Sequence, residues 1–309
     1  MKAIQITNFG GTDVLNLAEI PEPNVTANEV LVDVYAASIN PADSKTRQGL
    51  YPNDRNFTFP YVLGRDFSGV IHACGKNVNA FIPGDEVFGV LPAGQEGTYL
   101  EKLTIDASLI AIKPDKLEHN QAAAIALTGL TALVAIEDEL KLQAGERILI
   151  HGGAGGVGSY AIQLCHHIGA EIITTASPDN NEYLYNLGAD QVIDYNTQDF
   201  SESLSNIDAV FDLIGGEVHQ RSFKVLKSGG RIAYIAPLTK NSKPPRNDVT
   251  IIRPNVRRDR KHLNRIIELF TLGAASSTDI KVFPLSSVRE AHNLIDTNHV
   301  RGKLILSIK

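Results

Sequence analysis

From Arg147 onward the chain alternates short β-branched runs with helical stretches, and its first strand-to-helix turn reads His151-Gly152-Gly153-Ala154-Gly155-Gly156-Val157-Gly158. The strand candidates are Arg147 to His151, Glu171 to Thr175, Gln191 to Asp194, Ala209 to Ile214, Arg231 to Ile235 and Val249 to Ile252. Strands and helices alternating at this spacing predict an α/β, doubly wound parallel sheet with helices on both faces. Within the turn Gly153, Gly155 and Gly158 satisfy G-x-G-x-x-G between a strand and a helix, as a Rossmann phosphate-binding turn requires. Ala161, Leu164, Cys165 and Ile168 share one face of the following helix, which can therefore pack on the sheet. Gly153 permits the tight turn, Gly155 lets a pyrophosphate approach the backbone, and Gly158 lets helix and strand pack closely. The amides of Gly156 and Val157 complete the candidate site, where unpaired N–H groups and the positive end of the helix dipole face the phosphates. A glycine-rich turn that binds no ligand is the alternative.

In NAD-specific versions of this fold a carboxylate about 20 residues further on accepts the adenosine ribose hydroxyls. Here the second strand ends Thr174-Thr175-Ala176-Ser177, without a carboxylate at its tip. Ser177 leaves room for a 2'-phosphate and can donate to it, so the expected cofactor is NADPH. Between Arg147 and Arg221 there is no lysine or arginine. The neutral candidates for the phosphate are Asn180, Asn181 and Tyr195, with any cation coming from elsewhere. Ile214, Gly215 and Gly216 close the fourth strand and Ala236 with Pro237 the fifth. Carboxyl ends of such strands line the cofactor crevice, so Ile214, Gly215 and Ala236 join the candidate cofactor contacts.

The chain has 309 residues, enough for two domains. Its first part differs in kind, with β-rich segments Glu29 to Ala37, Val62 to Ala73 and Asp85 to Val90 broken by prolines. Such punctuation predicts an antiparallel barrel. After a helix at Asp259 to Leu272, the segments Ile280 to Phe283, Ser287 to Asp296 and Lys303 to Ser307 do not extend the βαβ rhythm. They are expected to return to the first domain. The expected division is 1–118, completed by 273–309, and 119–272.

A formal net charge of −6 gives no overall positive field for nucleic acid or an anionic membrane. The two cysteines, Cys74 and Cys165, form no CxxC pair and fit a reducing, cytoplasmic compartment. The uncharged run Asn120 to Ile136 is too short and polar for a membrane span and reads as a buried helix. Met1 to Leu15 lacks the apolar core of a secretory signal.

The segments Asn40-Pro41-Ala42-Asp43, Arg47-Gln48-Gly49-Leu50-Tyr51-Pro52, Pro60 to Val70, Gly84 to Gly89, Leu127 to Ala132, the glycine turn, Leu187-Gly188-Ala189-Asp190, Lys227 to Arg231 and Gly302-Lys303-Leu304 run in order along nearly the whole chain. In them the sequence resembles the zinc-independent quinone oxidoreductases, related to zeta-crystallin, of the medium-chain dehydrogenase/reductase superfamily. The resemblance implies a GroES-like β-barrel catalytic domain beside the Rossmann domain. Zinc-dependent relatives carry a Cys-His segment, a Gly-His-Glu segment and a later Cys where this chain has Asn40-Pro41, Gly64-Arg65-Asp66 and roughly Leu127. That set offers no thiolate or imidazole to a tetrahedral zinc, so no metal site is expected.

By the same resemblance Asn40 stands where a zinc ligand would be. Its amide can hold the acceptor oxygen or the ribose, or fix the loop. Tyr51 matches a tyrosine beside the substrate, able to donate to a developing oxyanion, or is a packed loop aromatic. Thr131 matches a threonine that approaches the nicotinamide carboxamide, or packs in an apolar helix. Asp43 is read as a loop anchor through Arg65, and Lys45 stands where some quinone reductases carry a second tyrosine. Lys303 either reaches the site or is solvated. The basic cluster Arg253, Arg257, Arg258, Arg260, Lys261 and Arg265 reads as a solvated face, with Arg253 or Arg257 as alternatives for the phosphate. The implied function is hydride transfer from NADPH to a small-molecule quinone or α,β-unsaturated carbonyl, in a homodimer. The alternative is a non-catalytic NADPH-binding sensor or crystallin-like structural protein.

Overall fold

The chain forms two units, one whose strands pair antiparallel except for one parallel pair, the other wholly parallel. One comprises Met1–Leu127, Arg258–Glu268 and Ser277–Lys309, the other Thr128–Arg257 and Leu269–Ser276. The computed structural model describes residues 1–50, 58–92, 94–95, 97–238, 245–277 and 279–309. Tyr51 lies outside the described residues.

The first unit begins with β1 (Lys2–Ile6), β2 (Asn16–Glu19), β3 (Glu29–Ile39), β4 (Tyr61–Val62), β5 (Asp66–Cys74), β6 (Glu86–Val90), β7 (Lys102–Asp106) and β8 (Ile110–Ile112). The second holds β9 (Arg147–His151), β10 (Glu171–Ala176), β11 (Gln191–Asp194), β12 (Ile207–Asp212), β13 (Leu226–Tyr234) and β14 (Thr250–Ile252). The chain then returns to the first unit with β15 (Ile280–Pro284) and β16 (Lys303–Ser307).

The eleven-residue β3 organises the first unit. β5 lies antiparallel along one of its edges. The other edge is shared, with β7 on Glu29 to Asp33 and β16 on Ala36 to Ile39. Pairing of β16 with β3 explains why the C-terminal segments leave the βαβ rhythm. The sheet runs β15-β16-β3-β5-β6-β8, and β2-β1-β4 form a second, three-stranded sheet. Val30, Val32, Val34, Phe67, Ile71, Val87 and Ile105 fill one core cluster of this unit.

All six strands of the second unit are parallel, in the order β11-β10-β9-β12-β13-β14. This is the doubly wound order 3-2-1-4-5-6, whose ligand side is the carboxyl edge next to the first strand. Leu149, Ile173, Ile193, Val210, Phe223 and Ile232 pack its core. Several strand limits differ from expectation, most of all at β12 and β13. β12 stops at Asp212 rather than Ile214, because the Asp212 carboxylate accepts the amides of Ile214 and Gly215 at 2.9 Å each and turns the chain. β13 begins at Leu226, which pairs with Ile207 before the register shifts.

The units also divide elsewhere than at 118 and 272. Ala123 and Ala124 of the helix His119–Leu133 pack with Ala36 and Ile305, so the start of that helix belongs to the first unit. Near the other limit, Arg258 donates to the Leu91 carbonyl and Arg260 to those of Ile110 and Ala107. These two arginines of the basic cluster therefore tie loops of the first unit rather than forming a solvated face. The run 120–136 extends as well, because a π-helical turn, Val134–Glu139, prolongs its helix. Among the described residues His119–Glu139 is the one stretch long and apolar enough by composition to cross a membrane, and 78% of its apolar window is buried inside the fold.

His292, on the helix Val288–Asp296, is fully buried in the first unit, and neither ring nitrogen has a hydrogen-bond partner among the described residues. Its ring meets Tyr99 edge-on at 5.9 Å. Burial pushes its imidazolium down from 6.5 to about 4. Between those values the unfolded chain binds a proton that the folded chain refuses, so stability is present above pH 6.5 and falls as the pH drops toward 4. His292→Leu should therefore lose less thermal stability than wild type on going from about pH 7 to about pH 5. An equal loss in both proteins, followed by differential scanning calorimetry, would contradict this.

Candidate functional site

Strand register assembles the cofactor candidates of the second unit. His151 pairs with Thr175 and with Asp212, Ala176 with Asp194, and Asp212 with Tyr234. Gly152, Ser177, Tyr195, Ile214, Gly215 and Ala236 each stand within three residues of those strand ends, along one carboxyl edge. Thr131, by contrast, sits in the last turn of the helix His119–Leu133, 6% exposed.

The glycine turn leads into the helix Gly156–Ile168, with Gly155 as its extended N-terminal cap. The amides of Gly156 and Val157 open that helix and have no intrahelical carbonyl to bond. Its three motif glycines differ in what surrounds them. A Cβ on Gly158 would lie 2.3 Å from the Gly152 carbonyl oxygen, and one on Gly153 would lie 2.1 Å from Thr174 Oγ1. Packing of strand, turn and helix closes those two positions. A Cβ on Gly155 would meet nothing nearer than 3.6 Å, and its φ of −74° suits any residue. The fold itself does not need glycine there, whereas a ligand lying against the backbone does.

At the tip of β10, Asn180 Nδ2 donates to Ser177 Oγ at 2.8 Å. The serine's own proton stays available to a ligand while Asn180 fixes its oxygen. Tyr195 follows β11 half-exposed, and Ile214 is 54% exposed beside the turn. Under that turn lies a buried carboxylate unread in the sequence. Burial works to raise the Asp212 carboxyl, yet hydrogen bonds from His219 at 3.0 Å and from the two turn amides hold it below its usual range. An acid closing a strand immediately before Leu213-Ile214-Gly215-Gly216 is the signal that could have found it.

In the first unit a dense polar network gathers around Asn40. Asn40 caps the helix Pro41–Arg47, and its backbone amide donates to Asp43 Oδ2 at 2.8 Å. Its side-chain oxygen accepts from Lys303 Nζ at 2.8 Å, while its Nδ2 donates to Asp66 Oδ1 at 2.8 Å. Lys303 also donates to the Ile39 carbonyl at 2.9 Å, and Ser38 Oγ donates to Asp66 Oδ2 at 2.7 Å. Both ends of the Asn40 amide are thus engaged, the arrangement of its loop-fixing alternative. Burial pushes the Asp66 carboxyl up and the Lys303 ammonium down, each resisted by attraction to the other.

Asp43 accepts from Arg65 Nε at 3.1 Å and from the Tyr99 hydroxyl at 3.1 Å, and Arg65 Nη2 donates to Thr46 Oγ1 at 3.1 Å. Asp43 is accordingly the loop anchor expected of it. Lys303 is 7% exposed and belongs to the network rather than to a solvated strand face. Lys45 lies on the same helix, half-buried, with burial lowering its ammonium. Arg253 and Arg257 are exposed. Among the described residues no three or more His, Cys, Asp or Glu side chains are grouped to hold a metal ion. Around Asn40 the carboxylates of Asp66 and Asp43 are already engaged, Asp66 by Asn40 and Ser38 and Asp43 by Arg65 and Tyr99, with the Lys303 ammonium on the Asn40 oxygen.

Comparison with known proteins places this geometry. Residues 26–115 match the alcohol dehydrogenase GroES-like domain, and residues 187–306 the family described as zinc-binding dehydrogenase. The NAD(P)H oxidoreductase RTN4IP1, mitochondrial, of Danio rerio is 31% identical, over 100% of this chain and 91% of its own. The NADPH-dependent alkenal/one oxidoreductase, chloroplastic, of Arabidopsis thaliana is 34% identical over 99% of this chain and 79% of its own. The solved structure of the quinone oxidoreductase from Coxiella burnetii superposes with a TM-score of 0.92 at 36% identity, covering 100% of this chain and 99% of that one. With its doubly wound unit, its GroES-like unit and relatives matched end to end, this chain belongs to the quinone-oxidoreductase-like branch of the medium-chain dehydrogenase/reductase superfamily.

Proposed function

We propose that the protein binds NADPH at the glycine turn and reduces a quinone or an α,β-unsaturated carbonyl without zinc. The observation that carries this reading is Gly155, a glycine for which the fold has no steric use, at the start of a helix whose first amides are unbonded within it. A bound dihydronicotinamide supplies the hydride. The chain supplies the rest. Gly156 and Val157 present amides to a diphosphate, and Ser177, its oxygen held by Asn180, offers its proton to a 2'-phosphate where an NAD-specific site would hold a carboxylate. The names of the relatives point the same way, one being NADPH-dependent and acting on alkenals and alkenones, another a quinone oxidoreductase.

Zinc independence is supported by the chemistry around Asn40. The Lys303 ammonium lies 2.8 Å from the Asn40 oxygen, so a dication there would face a buried like charge. Without a Lewis acid to polarise an ordinary carbonyl, the acceptor has to be electron-poor already, as quinones and enones are.

Gly155→Ala should weaken NADPH binding on the order of tenfold or more, because the new methyl occupies the phosphate approach, while the melting temperature stays near wild type. Gly158→Ala should instead cost ~1–3 kcal/mol of folding stability, since its Cβ meets backbone. If both variants lost stability alike and neither lost affinity, the turn would not be a phosphate site. Ser177→Asp should raise the NADPH dissociation constant on the order of tenfold or more and spare NADH, by setting a carboxylate against the 2'-phosphate. Equal effects on the two coenzymes, read by fluorescence titration, would contradict the assignment of Ser177. Steady-state oxidation of NADPH is expected with members of a quinone and enone panel. Tight NADPH binding without turnover of any acceptor would favour the sensor or structural alternative.

A further inference from the structure

We infer that His151 is a positioning residue for the coenzyme: its imidazole, carrying its proton on Nε2, orients the Thr175 hydroxyl that holds the first amide of the glycine turn. The inference rests on the proposed phosphate site and adds to it a residue with no expected ligand contact.

His151 closes β9, 1% exposed, between two hydroxyls that are themselves buried. Its Nδ1 lies 3.1 Å from Thr175 Oγ1 and its Nε2 lies 3.0 Å from Ser222 Oγ. The direction of these bonds follows from their outer ends. Ser222 Oγ is 2.7 Å from the Val218 carbonyl oxygen, which only accepts, so the serine proton is spent there and its oxygen must accept from His151 Nε2–H. In a neutral ring Nδ1 is then the acceptor, and Thr175 must donate to it. With its proton so directed, Thr175 Oγ1 presents lone pairs to the Gly152 amide 3.4 Å away, while the Thr175 carbonyl takes the Gly153 amide at 3.3 Å. Burial, which holds the His151 imidazolium down to about 4, keeps the ring neutral through the physiological range.

The chain therefore runs one way, from Gly152 N–H through Thr175 and His151 to Ser222 and the Val218 carbonyl. Val218 and Ser222 lie on the helix Gly216–Val225, which begins in the turn bearing Gly215. One row of bonds thus ties the phosphate turn after β9 to the helix that follows the turn after β12. Phe200 meets the imidazole edge-on at 4.6 Å. A hydrophobic ring would fill the same space, but Thr175 would lose its acceptor and Gly152 the fixed lone pair.

The test uses the full-length protein with NADPH as the probe. His151→Phe and Thr175→Val should each raise the NADPH dissociation constant by about three- to tenfold, as loss of one buried hydrogen bond predicts. At saturating NADPH, kcat should change by less than about twofold, which a general loss of fold would not leave intact. The double variant should be no worse than the poorer single one, because both changes cut one chain. His151→Asn, whose Oδ1 can stand in for Nδ1 toward Thr175, should recover most of the affinity, and His151→Gln should not. Nitrogen NMR of the labelled wild-type protein should show the Nε2–H tautomer at His151. Additive losses, full affinity in His151→Phe, or an Nδ1–H tautomer would each overturn this inference while leaving the phosphate site standing. Failure of wild type to bind NADPH would overturn both, and the tautomer is read without coenzyme, so the two failures are distinguishable.

Discussion

Close approach of the helix Gly156–Ile168 to the end of β9 is the constraint on which the rest of the second unit depends. At Gly158 the space a side chain would need is already taken by the carbonyl of Gly152 and the backbone of Gly153. Glycine at 158 and 153 lets the helix start immediately after the strand, with its axis and its open amides directed along the carboxyl edge of the sheet. From that one crossing the parallel register does the remaining work. It brings the end of β10 with Ser177, the end of β11 with Tyr195, and the turn after β12 onto the same edge. Gly152 and Ala236, 84 positions apart in sequence, thereby stand along one edge of the sheet.

The first unit solves a different problem, that of burying charge. Asp43, Arg65, Asp66 and Lys303 are all at most 7% exposed, two of each sign. Isolated, each would be costly to desolvate. Linked through Ser38, Asn40, Thr46 and Tyr99, every one has hydrogen-bonded partners, and the cluster is formally neutral. The arrangement holds the Asn40 loop rigidly at the head of the helix Pro41–Arg47, which also carries Lys45. It brings the C-terminal strand β16 into the same network through a single lysine.

Much of this was legible in the sequence where local chemistry governs. The limits of β9, β11 and β16 follow from short apolar runs between turn residues, and the close packing that requires glycine at 158 follows from a strand-to-helix turn. The pairing of Asp43 with Arg65 was also readable. What escaped depended on long-range pairing or on polar atoms meeting in the interior. Nothing local reveals that Lys303 reaches Asn40 across 263 positions, or that Arg258 and Arg260 donate to carbonyls rather than face water. Nor does a histidine before a glycine-rich turn announce that its two nitrogens bridge Thr175 and Ser222. β12 ends earlier than its sequence suggests: Leu213 and Ile214 look like strand, but Asp212 turns the chain by accepting the amides of Ile214 and Gly215.

Where a diphosphate would lie on the second unit is reported directly by its backbone amides. In a deuterated, nitrogen-labelled sample titrated with NADPH, the amide resonances of Gly156 and Val157 should shift saturably, in step with that of Ser177. If coenzyme bound and those amides stayed unmoved while others responded, the phosphate site would be elsewhere and the central claim would be wrong.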